Sequence, residues 1–245
     1  MAKKKDIKTV TEVPFADKLA KTLHDNRTAI VGLLVVGCIL GLSIVGYGYM
    51  QKQKEMKVES ELYTLRSQIE NKINNIDFTA KTDPNKLPEK PSFEEIKGLT
   101  DQFEQAILKH DSSSSAATSA LDLGGIYSEY KKFDMAKNIL EKVKPKSAVL
   151  SSLVSQQLAT VLFELKDFKG AISSLDKITK SKDQAFLHPD ALLKKGLAYY
   201  KLGDMEKAKA SFEQVAEEYT DKSTGQTAEK YLRVLKFKSL TPNKQ

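Results

Sequence analysis

The sequence predicts an all-α protein: an N-terminal transmembrane helix followed by a solenoid of stacked helical pairs. Three observations carry this reading. Residues 28–50 hold no charged side chain. Five of the 12 glycines (Gly32, Gly37, Gly41, Gly46, Gly48) fall in that run, leaving the rest of the 245-residue chain poor in glycine, as suits helices rather than many-stranded sheets. From Ser115 onward the chain repeats itself at offsets of 35 and 37 residues.

Taken in order, residues 1–27 read as a cytoplasmic tail with seven cations and four acids. The uncharged run 28–50 follows; at the helical rise it spans roughly 34 Å, enough for a hydrocarbon layer of ~30 Å. Tyr47 and Tyr49 sit at one end, where amphipathic rings favour the headgroup zone. Gly37 and Gly41 form one GxxxG, a spacing that lets two such helices approach closely and makes a homodimer through them a candidate. Small residues are also common in spanning helices generally. The run is too long for the apolar region of a cleaved signal peptide. Val35-Val36-Gly37-Cys38 resembles a lipobox, but twelve mostly apolar residues follow Cys38 where a lipoprotein has a polar tether. The tail carries more Lys and Arg than the twenty residues after the run, which places the N-terminus in the cytoplasm. In a bacterium the C-terminal part then lies in the periplasm. The lone cysteine excludes an intramolecular disulfide.

Residues 51–76 continue without a helix breaker. Leu62, Leu65, Ile69, Ile73 and Ile76 recur at three- and four-residue spacing, so a stalk helix with one apolar face is predicted. Five apolar positions are too few for a sustained coiled coil, which favours packing on the protein's own domain. Residues 77–92 contain Pro84, Pro88 and Pro91 and read as a loop. Ser92 and Glu95 have the spacing of a capping box, so a helix over 93–109 should follow, burying Phe93, Ile96, Phe103 and Ile107.

Within 93–245, three segments superpose: ALDLGGIYSEYKKFDMAKNILEKV (120–143), SQQLATVLFELKDFKGAISSLDKI (155–178) and LLKKGLAYYKLGDMEKAKASFEQV (192–215). Small residues recur at Gly124, Ala159 and Gly196 and again at Ala136, Ala171 and Ala208. They let two helix backbones approach, while large residues at Tyr127, Leu162, Tyr199 and at Leu140, Leu175, Phe212 fill the space around them. The repeats run near 117–150, 152–186 and 189–222. A capping helix near 227–238, burying Tyr231, Leu232 and Leu235, should close the stack, because an open end exposes apolar surface.

This pattern resembles the tetratricopeptide repeat, a helix–turn–helix unit. No unit has that family's early tryptophan, and the second has Ala159 where the others have glycine. The resemblance implies a concave face on the first helix of each pair that binds protein segments. Its groove positions map to Leu121 and Glu129, to Gln156, Thr160, Phe163 and Glu164, and to Leu193, Leu197, Tyr200 and Lys201. The polar clamp some members use for a C-terminal carboxylate is absent. A filled groove, occupied by the apolar face of the stalk, is the competing reading.

The layout of tail, single span and repeat domain, with the stretch KITKSKDQAFLHPDALLKKGLAYYKLGDMEKAKASFEQV, is similar to the family of ancillary Sec translocon subunits. The resemblance implies a bacterial inner-membrane protein with a periplasmic domain. Its expected partners are translocon components, periplasmic chaperones or exported polypeptides. The alternatives are a scaffold of envelope assembly lipidated through Cys38, and a cytosol-facing receptor on an organelle.

Catalysis is not expected. The sequence has no phosphate-binding loop, nucleophile elbow or zinc-protease motif, and no cofactor is called for. His24, His110 and His188 lie far apart, and no cluster has metal-ligand spacing. His188 before Pro189 reads as a loop residue. The net charge of +7 raises nucleic acid as a partner, but the lysines alternate with acids along helical stretches, the pattern of a solvated face, and no nucleic-acid role is expected.

Overall fold

The computed structural model describes residues 22–74 and 90–240, so most of the expected tail and of the expected proline-rich loop lies outside it. The main helices are α1 (Arg27–Asn74), α2 (Phe93–Lys109), α3 (Ser114–Glu129), α4 (Phe133–Lys142), α5 (Ala148–Glu164), α6 (Phe168–Thr179), α7 (His188–Leu202), α8 (Met205–Glu218) and α9 (Ser223–Leu240). A 3-10 turn, Lys182–Leu187, joins α6 to α7, and no strand occurs among the described residues. The chain falls into two compact units that part between Lys54 and Glu55.

The first unit contains the apolar part of α1, the one helix among the described residues that is long and apolar enough to cross a membrane. Its side chains face outward: Leu33 and Leu42 are each 73% exposed. Three polar side chains bond within the helix. Ser43 Oγ donates to the Ile39 carbonyl at 2.7 Å, which removes a bare hydroxyl from an apolar surface. Gln51 and Gln53 donate to the phenol oxygens of Tyr47 and Tyr49 at 2.8 and 3.0 Å.

The second unit starts at Glu55, inside α1. The stalk, given its own segment by the sequence reading but expected to pack its apolar face on the protein's own domain, is from there on part of the repeat unit. Leu62 and Ile69 are fully buried, with Val58, Leu65 and Ile73 packed against the same core. Glu61 lies 3.5 Å from Lys109 and 3.7 Å from His110 at the end of α2. The stalk thus shares the core with α2 and meets its end at Lys109 and His110. Helix α2 is fixed at its start by Glu95, which accepts from the Ser92 backbone N–H at 2.7 Å and from its hydroxyl at 2.8 Å. Both bonds favour the ionised carboxylate and hold its pKa below the usual value.

The repeat pairs are α3–α4, α5–α6 and α7–α8, and each first helix ends in the same way. Lys131, Lys166 and Gly203 adopt left-handed backbone with φ of 57°, 59° and 81°. The next residue's N–H then reaches back to the carbonyls of Tyr127, Leu162 and Tyr199 at 2.7, 2.8 and 3.0 Å, a Schellman closure that reverses the chain within two residues. Asp167 and Asp204 cap the following helices by accepting from Gly170 and Lys207 at 2.9 and 3.1 Å, a role that Lys132 leaves unfilled in the first repeat.

Two buried clusters hold the unit. One runs from the stalk through α6 to Ala191; the other joins Leu192, Ala208, Phe212, Val215 and Ala228 across α7, α8 and α9. The small residues sit where the repeat requires them. A Cβ on Gly196 would lie 2.6 Å from the Phe212 ring, which is itself stacked on Tyr231 at 5.0 Å. A Cβ on Gly124 would meet Gln157 Nε2 at 3.2 Å and Leu140 at 3.3 Å, softer contacts with flexible side chains. Helix α9, expected over 227–238, starts at Ser223, because Gly225 allows its first turn to cross the Tyr219 carbonyl, which a Cβ would approach to 2.2 Å.

Candidate protein-binding face

The candidate positions lie on two helices. Gln156, Thr160 and Phe163 project from α5; Leu193, Leu197, Tyr200 and Lys201 project from α7. Thr160 and Lys201 are exposed, and the other five are half-buried. Their neighbours decide which of them a partner can reach.

One side chain at the same repeat position ties each first helix to the one before it. On α3, Asp122 receives Arg66 of the stalk at 2.7 Å. On α5, Gln157 donates to the Leu121 carbonyl of α3 at 2.9 Å. On α7, Lys194 donates to Thr160 of α5 at 3.0 Å. Residues 122, 157 and 194 are separated by the repeat offsets of 35 and 37. The stalk thus bonds to α3 at the repeat position through which α5 and α7 bond to the helices before them. Glu55 extends the contact, accepting from the Ser115 backbone and hydroxyl at 2.8 and 2.9 Å. Among the described residues, the stalk's polar partners on other elements fall on the end of α2, on Ser115 and on Asp122. Leu121 of α3 is half-buried against the same core.

At the other end, α9 packs on α8 and shares a buried cluster with α7. Leu193, Leu197 and Tyr200 pack against the cluster that includes Tyr231, Leu232 and Leu235 of α9, and Lys238 Nζ sits 4.7 Å from the centre of the Tyr200 ring. Phe163 turns to the start of α6, edge-on to Phe168 at 5.5 Å. The two rings expected to line one groove are thus each engaged by a different element. Thr160 remains at a shallow recess of about 330 Å³ that also includes Glu129, Glu164, Lys131 and Phe133. Glu129 at its rim pairs with Lys90.

Burial shapes the charges along this face. It pushes the Asp122 carboxyl above its usual pKa, against the opposing pull of Arg66. It also lowers the pKa of Lys194, whose ammonium loses water between α5 and α7. Lys194 is the contact residue the sequence reading passed over. Its signal was present: with Leu197 and Lys201 it follows three- and four-residue spacing on α7. His188 opens α7, where its ring N–H donates to the Ser181 carbonyl at 2.9 Å, a structural bond between the 3-10 turn and the helix. Among the described residues no group of three or more His, Cys, Asp or Glu is placed to hold a metal ion.

Among known proteins, the chain is 33% identical over 123 residues to an ancillary SecYEG translocon subunit of Aggregatibacter actinomycetemcomitans. That alignment takes in 49% of this chain and 58% of the relative's length. The crystal structure of MamA covers 60% of this chain and 93% of its own, at 23% identity and a TM-score of 0.38. Residues 22–241, which include the apolar helix as well as the repeats, match the family described as tetratricopeptide repeat-like domain. On that match, supported by three superposable helical pairs with small residues at their contacts, the chain belongs to the tetratricopeptide repeat-like domain family.

Proposed function

We propose that this is a single-pass inner-membrane protein whose repeat domain, on the periplasmic side, acts as a non-catalytic scaffold at the Sec translocon and passes newly exported polypeptides to periplasmic chaperones. The observation that carries this reading is the likeness to a protein named as an ancillary translocon subunit. It agrees with one apolar helix suited to a membrane span and with a fold whose exposed surfaces serve protein binding. The binding face is the strip of α5 with half-buried Gln156 and exposed Thr160, continued by exposed Lys201. The span also offers a homodimer contact, through the GxxxG spacing of Gly37 and Gly41.

The test is crosslinking of the full chain in intact bacteria, followed by mass spectrometry of what copurifies. Translocon subunits together with soluble periplasmic chaperones are the expected adducts. Adducts confined to outer-membrane assembly proteins, with a mobility shift abolished by Cys38→Ala, would replace this reading with that of a lipidated envelope scaffold.

A further inference from the structure

We propose that the outward face of α9 is a contact surface for an anionic phospholipid bilayer. Helix α9 is held to α7 and α8 by Ala228, Tyr231, Leu232 and Leu235. The opposite face carries Lys230, Arg233, Val234 and Phe237, spaced i, i+3, i+4 and i+7, so the four form one stripe. Val234 is 45% exposed and Phe237 68% exposed, large apolar side chains in a row where a solvated helix keeps polar ones. Lys230 and Arg233 are exposed, and among the described residues neither has an ion-pair partner.

Charge complementarity identifies the occupant. Residues 223–240 hold four cations (Lys230, Arg233, Lys236, Lys238) against one acid, Glu229. These cations lie beside exposed apolar side chains. A basic helix with an aromatic ring and an aliphatic side chain among its cations suits the boundary of a bilayer: the ring and the valine enter the headgroup zone and the cations meet lipid phosphates. A lone helix with so small an apolar stripe binds lipid weakly, but a chain tethered by its own membrane helix needs no more than a weak contact, because tethering raises the effective concentration of the lipid surface. This inference is independent of the translocon reading and stands or falls without it.

The chain contains no tryptophan, so Phe237→Trp places a single reporter on the stripe. The full-length variant is reconstituted into vesicles of phosphatidylcholine alone and of phosphatidylcholine with phosphatidylglycerol, each made with and without brominated acyl chains. Blue-shifted emission and bromine quenching are expected in the anionic vesicles only. Both should fade as salt rises, and both should fall to the phosphatidylcholine level when Lys230, Arg233, Lys236 and Lys238 are changed to Gln. Circular dichroism of that charge variant checks that its helices persist, and the salt titration of Phe237→Trp alone supplies the answer if they do not. Emission that ignores lipid composition and salt overturns the proposal. A blue shift that follows the protein-to-lipid ratio rather than lipid charge overturns it in favour of a second copy of the chain. A shift that appears only when an acidic protein is added assigns the stripe to a protein partner instead.

Discussion

At Gly196 the absence of a single carbon sets how closely α7 and α8 can approach. The Phe212 ring fills the space a Cβ would need and cannot retreat, since Tyr231 is stacked against its other side with an interplanar angle of 12°. Gly196→Ala is therefore expected to destabilise the domain by about 1–3 kcal/mol through overpacking. Gly124→Ala should cost less, because flexible Leu140 can yield; thermal melts of the two variants side by side give the order. The left-handed residues act in the opposite direction. Lys131 and Lys166 adopt a conformation that Gly203 adopts freely in the third repeat. Changing either lysine to glycine should raise stability by up to about 1 kcal/mol, the relieved steric cost less the entropy that glycine adds to the unfolded chain. A lower melting temperature would contradict this. Glu95 gives a pH dependence of known sign. Its folded pKa is depressed, so the cap stabilises α2 fully above the ordinary carboxylate pKa, and this contribution is lost as pH falls through the folded value. Glu95→Gln should remove that part of the acid-limb slope and leave stability at neutral pH slightly lower.

At the scale of elements, the distinctive feature is the stalk's place in the stack. Arg66 to Asp122, Gln157 to Leu121 and Lys194 to Thr160 form one series across four helices, and the first helix of that series is the stalk. Leu62→Ala should then behave as a core truncation and cost about 2–5 kcal/mol, rather than the near-zero change of a residue on a free connector. A melt within error of the parent chain would place the stalk outside the core. The repeats themselves were legible because backbone contact admits only small residues, and Gly124, Ala159, Gly196, Ala136, Ala171 and Ala208 mark those contacts; all six are buried. The all-α class follows from the same signal. The stalk's membership was less legible, since it carries the apolar spacing but none of the small-residue marks. The 3-10 turn Lys182–Leu187 was missed because no periodicity marks it; within it Gln184 has φ of −113° and ψ of 28°, outside helical geometry.

For the whole molecule, the two ends of the solenoid decide what remains for a partner. The stalk contacts α3, and α9 packs on Leu193, Leu197 and Tyr200 of α7. Groove positions inferred by mapping a repeat pattern take no account of the helices that cover them, which is why the sequence alone placed Phe163 and Tyr200 in one surface. Of the mapped positions, Glu129, Thr160, Glu164 and Lys201 stay exposed, and Glu129 is paired with Lys90. A photo-crosslinking residue placed in turn at Thr160, Lys201 and Gly98 in the full chain tests this directly, since Gly98 lies on α2 where an added Cβ meets nothing within 4 Å. Protein adducts in intact cells are expected from Thr160 and Lys201 and none from Gly98; adducts from Gly98 with none from Thr160 would contradict this binding face.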